Sequence, residues 1–485
     1  MSVLWTDLTI EALAAAGDRP VTRSLEDLPA DPMSGAASGT RMLDKAAGAV
    51  TLLDELRCPS EVAVPMLAST SPDAQAMLLG GAVSSRPLAP LGPKLTPREI
   101  ARCVGDLGAG VLLSQTAYAD NAKRAAEIAG VGLEIVDGVP EADGAAVRPL
   151  GRDAVVAYLH TSGTTGAPKS VPLTNRQLGA RTALLREACG YDGTSVVAAA
   201  SGFHHIAGLG MVLVAMACGS AIVAFPQFSL QNWRLLRPLG PTHAALVSTF
   251  IEMLVAQDEF DIESLRCVTY GASPIRVSTL RAVLDARPDI DFIRWYGQTE
   301  GSPISWLSPG DHVRAVRQDQ AWMFDTVGRA LPGVELMIDG PDANGVGEVC
   351  ARGEHLAVVD AEGWRHTGDL GSLDEQGFLS LAGRTGDMII RGGENVYPAE
   401  IERVLASHPK VADALVVGLP DDILGERIKA IVQPVDPADS PTAEQLRGYA
   451  RERLAGFKVP ADWEFCEQFR RNASGKILRS SYLRV

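Results

Sequence analysis

Tyr158-Leu159-His160-Thr161-Ser162-Gly163-Thr164-Thr165-Gly166-Ala167-Pro168-Lys169-Ser170 is the stretch from which the rest of the chain is read. A strand-like apolar run ends at Leu159. The hydroxyl residues Thr161, Ser162, Thr164 and Thr165 follow, set among Gly163, Gly166 and Lys169. Glycines let backbone N–H groups approach a ligand closely, hydroxyls add donors, and the lysine adds positive charge. A loop of this composition suits phosphate oxygens. It is not the Walker pattern, because Pro168 stands where that pattern has its second glycine. Taken without context, the same residues would also make a polar surface loop.

Working outward, apolar strand-like runs alternate with helical ones. Residues 154–159, 221–225, 244–246 and 267–270 read as core strands, and residues 178–188, 231–236 and 278–286 as helices. This alternation predicts an α/β fold with at least one mainly parallel sheet. The first 150 residues are rich in Ala, Gly and Pro, with helices predicted over 73–79 and 97–107 and a strand over 110–114. Near residue 330 glycines begin to punctuate short strands (334–338 and 347–351), the texture of a smaller β-rich section. From about Arg384 a final α+β unit is expected, with a helix over 398–406, strands over 412–418 and 428–435, and a helix over 442–454.

Composition excludes several classes. The chain has 485 residues, 46% hydrophobic and 21% charged, and a formal net charge of −15. That balance can bury enough apolar surface to fold, and the length implies more than one domain. The acidic excess gives no general attraction to nucleic acid or anionic lipid. Seven cysteines at irregular positions, with no CxxC pair, argue against a disulfide framework or a zinc site and for a reducing cytoplasm. The start has no basic region followed by an apolar core, so no signal peptide is expected. Residues 205–233 lack Asp, Glu, Lys and Arg, but Gly219 and Pro226 interrupt the run. A buried helix over 208–217 and a core strand over 221–225 explain it better than a membrane span.

Further signatures follow the hydroxyl-rich loop in order: Tyr296-Gly297-Gln298-Thr299-Glu300-Gly301, His366-Thr367-Gly368-Asp369-Leu370, Gly383-Arg384, Arg391-Gly392-Gly393-Glu394-Asn395, and Asn472-Ala473-Ser474-Gly475-Lys476. Together they resemble the ordered motifs of the adenylate-forming superfamily, which includes acyl-CoA and aryl-CoA synthetases, adenylation domains and luciferases. The resemblance runs from about Ala154 to Arg479 and is weak over the first 150 residues. It implies a large N-terminal adenylation domain, residues 1–384, and a small mobile C-terminal domain, residues 385–485.

The same resemblance assigns roles. Thr161, Ser162, Gly163, Thr164, Thr165, Gly166 and Lys169 would hold the ATP phosphates. Gly271, Ala272, Ser273, Tyr296, Gly297 and Gln298 would border adenine. Thr299 would donate to the α-phosphate, and Glu300 would be the Mg²⁺ ligand, since a hard cation prefers oxygen. Asp369 would accept the ribose hydroxyls with Arg384 in support. Lys476 would bridge the acid carboxylate and the α-phosphate. Arg391, Gly392, Gly393 and Glu394 would pass the pantetheine of CoA once the C-terminal domain swings. Gly386 stands where relatives commonly carry Asp or Lys as hinge, and Asp387 shares the candidacy.

Phe203-His204-His205-Ile206-Ala207-Gly208 resembles the superfamily's aromatic gate, with His205 facing the carboxylate or the tunnel; a buried, satisfied histidine is the other reading. The acid pocket would draw on Phe203, His205, Gly208, Trp295 and Ser302. No Asp occurs in residues 202–213 to pair with an ammonium, which argues against an amino acid. Aryl, fatty and polycyclic acids remain open. The expected activity is ATP- and Mg²⁺-dependent acyl-CoA ligation of an apolar or aromatic acid through acyl-AMP. The alternatives are loading of an acyl carrier protein and a non-catalytic nucleotide-binding relative. No nucleic-acid partner is expected, and a homodimer is left open.

Overall fold

The structure, a computed structural model, describes residues 3–25, 36–161, 169–225, 228–271, 275–318, 320–392, 394–471 and 477–482. The chain forms two compact units: residues 1–335 with 352–365, and residues 336–351 with 366–485.

The first unit holds a nine-stranded and a six-stranded sheet. In the larger, Ala221–Ala224, Val196–Ala199, His243–Val247, Cys267–Gly271 and Asp291–Gln298 run parallel in that order. In the smaller, Gly132–Ile135, Val111–Ser114, Val64–Leu67, Leu88–Leu91 and Val155–Thr161 run parallel. Strands buried on both faces read as continuous apolar runs, which is why Ala221–Ala224, His243–Val247 and Cys267–Gly271 were legible as core strands, whereas Val64–Leu67, Leu88–Leu91, Gly132–Ile135 and Val196–Ala199 were not predicted. Each parallel run ends in an antiparallel hairpin. Val155–Thr161 turns back into Lys169–Thr174, and Asp291–Gln298 turns back into Gly301–Leu307.

Five helices supply much of the main core of this unit: Trp5–Ala16, Gly39–Glu55, Pro72–Val83, Asn175–Cys189 and Ile206–Ala217. The residues Gly208 to Ala217 are all buried, so the long apolar run is a helix enclosed on every face. Trp5 is fully buried and donates its indole N–H to the Leu213 carbonyl at 2.7 Å. Asn175 closes a second link, accepting from Thr6 N–H at 2.9 Å. Helix Asn175–Cys189 starts on a capping box, Thr174 with Gln177, which satisfies its first free N–H groups. Among the described residues no helix is long and apolar enough to cross a membrane.

The second unit carries a four-stranded sheet, Glu335–Asp339, Gly347–Arg352, Arg365–Leu373 and Leu379–Arg384, of which Glu335, Arg352 and Arg365 are counted with the first unit. A five-stranded sheet is built on the long antiparallel pair Val411–Asp421 and Gly425–Pro434. Helices Pro398–Ala406 and Ala443–Arg451 bury Ile401, Leu405, Leu446 and Ala450 against Val416, Ile428 and Ala430.

Three histidines of the first unit are held neutral, His204 half-buried and His312 and His355 buried. Burial pushes His204 down to about 3, with the His205 and Lys94 charges adding to it. Burial likewise takes His312 and His355 to about 4. In the unfolded chain each titrates near 6.5. The unfolded form therefore binds more protons below that pH, and stability falls with pH from about 6.5 until the folded groups protonate. The melting temperature is expected to drop steadily between pH 7 and pH 4.5. A flat profile over that range would refute the neutral assignment.

Candidate active site

The Thr299-Glu300 pair occupies the turn of the hairpin that ends the larger sheet. Gln298 and Gly301 are cross-strand partners on either side of it, and Tyr296 faces Ser305. Gly297 is a steric requirement, and Gly301 is closely packed. A Cβ on Gly297 would stand 2.8 Å from Ser302 Cα, and one on Gly301 would stand 2.3 Å from Leu356 Cδ2. The turn is tied down from outside: the Glu300 carbonyl accepts from Ala357 N–H at 2.6 Å, and Gln177 donates to the Leu356 carbonyl at 2.9 Å.

The Glu300 carboxylate meets the Arg365 guanidinium at 3.4 Å, and both side chains are mostly buried. Arg365 also reaches Gln298 Oε1 at 3.3 Å. Sequence reading missed Arg365, although it immediately precedes the His366-Thr367-Gly368-Asp369 motif. A carboxylate at a turn, already positioned by a cation, has the donor chemistry that a divalent ion bound to phosphate oxygens requires.

Trp295 stacks on Trp306 with ring centroids 5.8 Å apart and planes 10° off parallel, giving a flat aromatic wall. Gly271 lies beside it in parallel register, and a Cβ there would stand 2.6 Å from the Trp295 carbonyl. Tyr296 is buried rather than presented as an open ring. His205 is the N-cap residue of helix Ile206–Ala217, and its ring lies 4.1 Å from that of His204. A Cβ on Gly208 would stand 2.1 Å from the Gly202 carbonyl, so the gate segment packs backbone on backbone. Phe203 is buried in the main core.

A second residue missed in the sequence joins these parts. Arg181 sits on the buried face of helix Asn175–Cys189, with Leu178, Thr182 and Leu185. Its Nε donates to the Ser302 carbonyl at 2.6 Å, and a Cβ on Gly210 would stand 2.0 Å from its Nη1. The guanidinium thus lies between the helix that His205 caps and the strand that follows Glu300. Helical spacing of residues 178, 181, 182 and 185 was the available signal.

In the second unit Asp369 and Arg384 are cross-strand partners, paired at 3.0 Å, with Asp369 buried and Arg384 exposed. The preceding turn is braced: Thr367 donates to the Val349 carbonyl at 2.7 Å, and Gly368 N–H donates to Glu348 at 2.9 Å. Gly368 has φ +70°, which favours glycine there. Glu348, Cys350 and His366 bring one ligand atom each within 4.8 Å of one another, and the Glu348 carboxylate already holds the Gly368 turn. Arg391 and Glu394 face each other across a short turn, with Gly392 at φ +61° between them. Asp387 pairs with Arg479 at 3.4 Å, while Gly386 has open space around its missing side chain.

Ser162, Gly163, Thr164, Thr165 and Gly166 lie outside the described residues, as do Ala272, Ser273, Gly393 and Lys476. Their flanks are described. Thr161 pairs in backbone register with Lys169, and Arg471 forms an antiparallel bridge with Ile477.

The family described as AMP-binding enzyme matches residues 43–358, and the AMP-binding enzyme C-terminal domain matches residues 400–476. The chain is 34% identical to the fatty acid–[acyl-carrier-protein] ligase ScoC of Streptomyces coeruleorubidus, over 83% of this chain and 82% of that protein. It is 32% identical to feruloyl-CoA synthase of an Amycolatopsis species, over 81% of this chain and 83% of that protein. The solved o-succinylbenzoate CoA synthetase of Bacillus subtilis, in complex with its acyl-adenylate, superposes with a TM-score of 0.84 at 25% identity, covering 100% of this chain and 98% of that one. With the motifs in order and these relatives on either side, the chain belongs to the AMP-binding enzymes, the adenylate-forming superfamily, and stands among its acid–thiol ligases.

Proposed function

We propose that the enzyme is an acyl-CoA ligase that activates an apolar or aromatic carboxylic acid with ATP and Mg²⁺. A carboxylate oxygen of the acid attacks the α-phosphorus, and the bond to pyrophosphate breaks. The thiolate of CoA then attacks the acyl carbon, and AMP leaves. The observation that supports this reading most is the tight Thr299-Glu300 turn, with its carboxylate held by Arg365. Negative charge grows on the departing pyrophosphate, and groups fixed in advance stabilise it without reorganising.

Each residue has a part in this reading. Glu300 would hold the Mg²⁺, which when bound neutralises phosphate charge. Thr299 donates to the α-phosphate. Asp369 accepts from the ribose hydroxyls, and its pairing with Arg384 supports that role by fixing the carboxylate. Lys169 and the loop of residues 162–168 hold the outer phosphates. Lys476 brings its point charge to the carboxylate and α-phosphate, then leaves with residues 385–485 as they rotate about Gly386 and Asp387. The turn at Arg391, Gly392, Gly393 and Glu394 takes the pantetheine arm. Trp295 against Trp306 supports an apolar or aromatic body for the acid, by offering a flat ring surface.

A second reading is favoured by the likeness to ScoC: the acceptor thiol belongs to a holo acyl carrier protein. The deciding experiment measures pyrophosphate release over a panel of carboxylic acids, with no acceptor, with CoA and with holo carrier protein. Acid-dependent release with CoA converted to a thioester is the expected result. Conversion of the carrier alone would select the second reading, and ADP as the only nucleotide product would overturn both.

Two variants test the roles. Lys476→Ala is expected to lower acid-dependent pyrophosphate release at least about a hundredfold, while thioester formation from supplied acyl-AMP stays near wild type. Equal loss in both half-reactions would remove Lys476 from the adenylation step. Glu300→Gln is expected to raise the Mg²⁺ concentration needed for half-maximal release and to lower kcat about a hundredfold. An unchanged Mg²⁺ titration would show that another group binds the metal.

A further inference from the structure

Arg181 has no part in the chemistry above, yet it is a charge placed inside the first unit. The residue is 7% exposed. Desolvation takes its pKa down to about 10, so it stays cationic at neutral pH. Its Nε is used by the Ser302 carbonyl at 2.6 Å, while its Nη1 is buried with no hydrogen-bond partner. Among the described residues it forms no ion pair. The ionisable groups around it are neutral. Burial raises Tyr191 well above its ordinary value, and its hydroxyl is directed at Met211 Sδ, 3.8 Å away. Burial takes His355 down to about 4, with the Arg181 charge contributing, and His355 bonds the Pro303 carbonyl at 2.7 Å.

A buried guanidinium without an anion is costly, and arginine cannot shed its proton to escape as lysine can. The guanidinium is packed closely from one side, with its Nη1 left without a partner. Helix Ile206–Ala217 presents Gly210 at this point, and a Cβ there would stand 2.0 Å from Nη1 and 2.5 Å from Nη2. The two walls that Arg181 touches, Gly210 and Ser302, belong to the segments expected to line the acid pocket. A fork of N–H groups matches the two oxygens of a carboxylate.

We infer that Arg181 receives a second carboxylate at the far end of the acid, so that the substrate is a dicarboxylic acid with an apolar or aromatic body. The inference rests on the acid-activating reading above and names its substrate class. The reacting carboxylate meets ATP, and the distal one neutralises Arg181. A monoacid of equal length leaves the charge unpaired, which is the strongest kind of discrimination available to a buried site.

The test uses the full-length protein and two matched series. Dicarboxylates from butanedioate to decanedioate, with benzene-1,4-dicarboxylate, are each compared with the methyl-ended monoacid of the same length. Pyrophosphate release is measured for wild type and Arg181→Met, and melting temperatures are recorded with each acid. Wild type is expected to favour at least one diacid over its monoacid by about a hundredfold in kcat/KM. Arg181→Met is expected to lose that preference, to melt no lower than wild type, and to gain no stability from the diacid. Gly210→Ala, which displaces the guanidinium without changing charge, is expected to weaken the same preference. Should Arg181→Met fail to fold, the wild-type ratio and Gly210→Ala decide. Turnover of monoacids with no preference for a diacid, or a preference that Arg181→Met leaves unchanged, would overturn the inference while the ligase reading stands. Diacids that stabilise wild type but not Arg181→Met, with no pyrophosphate from any acid, would overturn the ligase reading and keep the distal site. No stabilisation and no pyrophosphate would overturn both.

Discussion

One steric constraint organises the first unit: the last parallel strand of the larger sheet must reverse within two residues at Thr299 and Glu300. A side chain at 297 would collide with the backbone of Gly301 and Ser302, so glycine there is a condition for the turn, while one at 301 would have to displace the Leu356 side chain. Parallel sheets offer their ligand-binding edge at the carboxyl ends of their strands. Both sheets here stop being parallel where a motif sits. Val155–Thr161 reverses across residues 162–168, and Asp291–Gln298 reverses at Thr299-Glu300. A hairpin at such an edge exposes its turn while the sheet behind it stays rigid. That combination lets polar groups be aimed without loose loops, which holding a reactive phosphate requires.

Electrostatics follow the same economy. Within the first unit Glu300 is paired with Arg365, and within the second Asp369 is paired with Arg384. Each pair fixes the position of a carboxylate that the motifs single out. The chain carries a net charge of −15, so carboxylates are plentiful and many are paired; what distinguishes these two is their place in the motifs at a turn and a strand edge. A preset rotamer lowers the ordering cost when a nucleotide binds. The Glu348 carboxylate extends the principle one layer back, since it holds the Gly368 turn that presents Asp369.

Much of this was legible from residues alone, for a physical reason. Buried parallel strands are apolar without interruption, and the helix at Pro398–Ala406 begins at its proline. The helices Trp5–Ala16 and Gly39–Glu55 escaped notice because the first has no side-chain cap and the second is full of small residues that blur the apolar stripe. Arg365 and Arg181 escaped for a different reason: an arginine shows its partner only after folding, and each bonds to residues more than sixty positions away. Conversely, Lys476 and the phosphate loop are carried by motif order, since their side chains lie outside the described residues.

The buried charges of the described residues make a useful comparison. Lys45 reaches Asp73 at 2.7 Å, Asp311 meets Arg329 at 3.1 Å, and Asp369 meets Arg384 at 3.0 Å. Buried histidines are satisfied too: His243 bonds Thr242 and the Cys189 carbonyl, and His312 bonds Tyr270 and the Ser308 carbonyl. Arg181 departs from this pattern, with a neutral carbonyl where the others have an opposite charge or a full set of bonds. Folding alone would favour an apolar residue at that position, because a packed hydrophobe removes the desolvation penalty. A guanidinium kept there has its compensation in something the fold does not itself contain, and its placement between Gly210 and Ser302 makes the far end of the acid the group that supplies it.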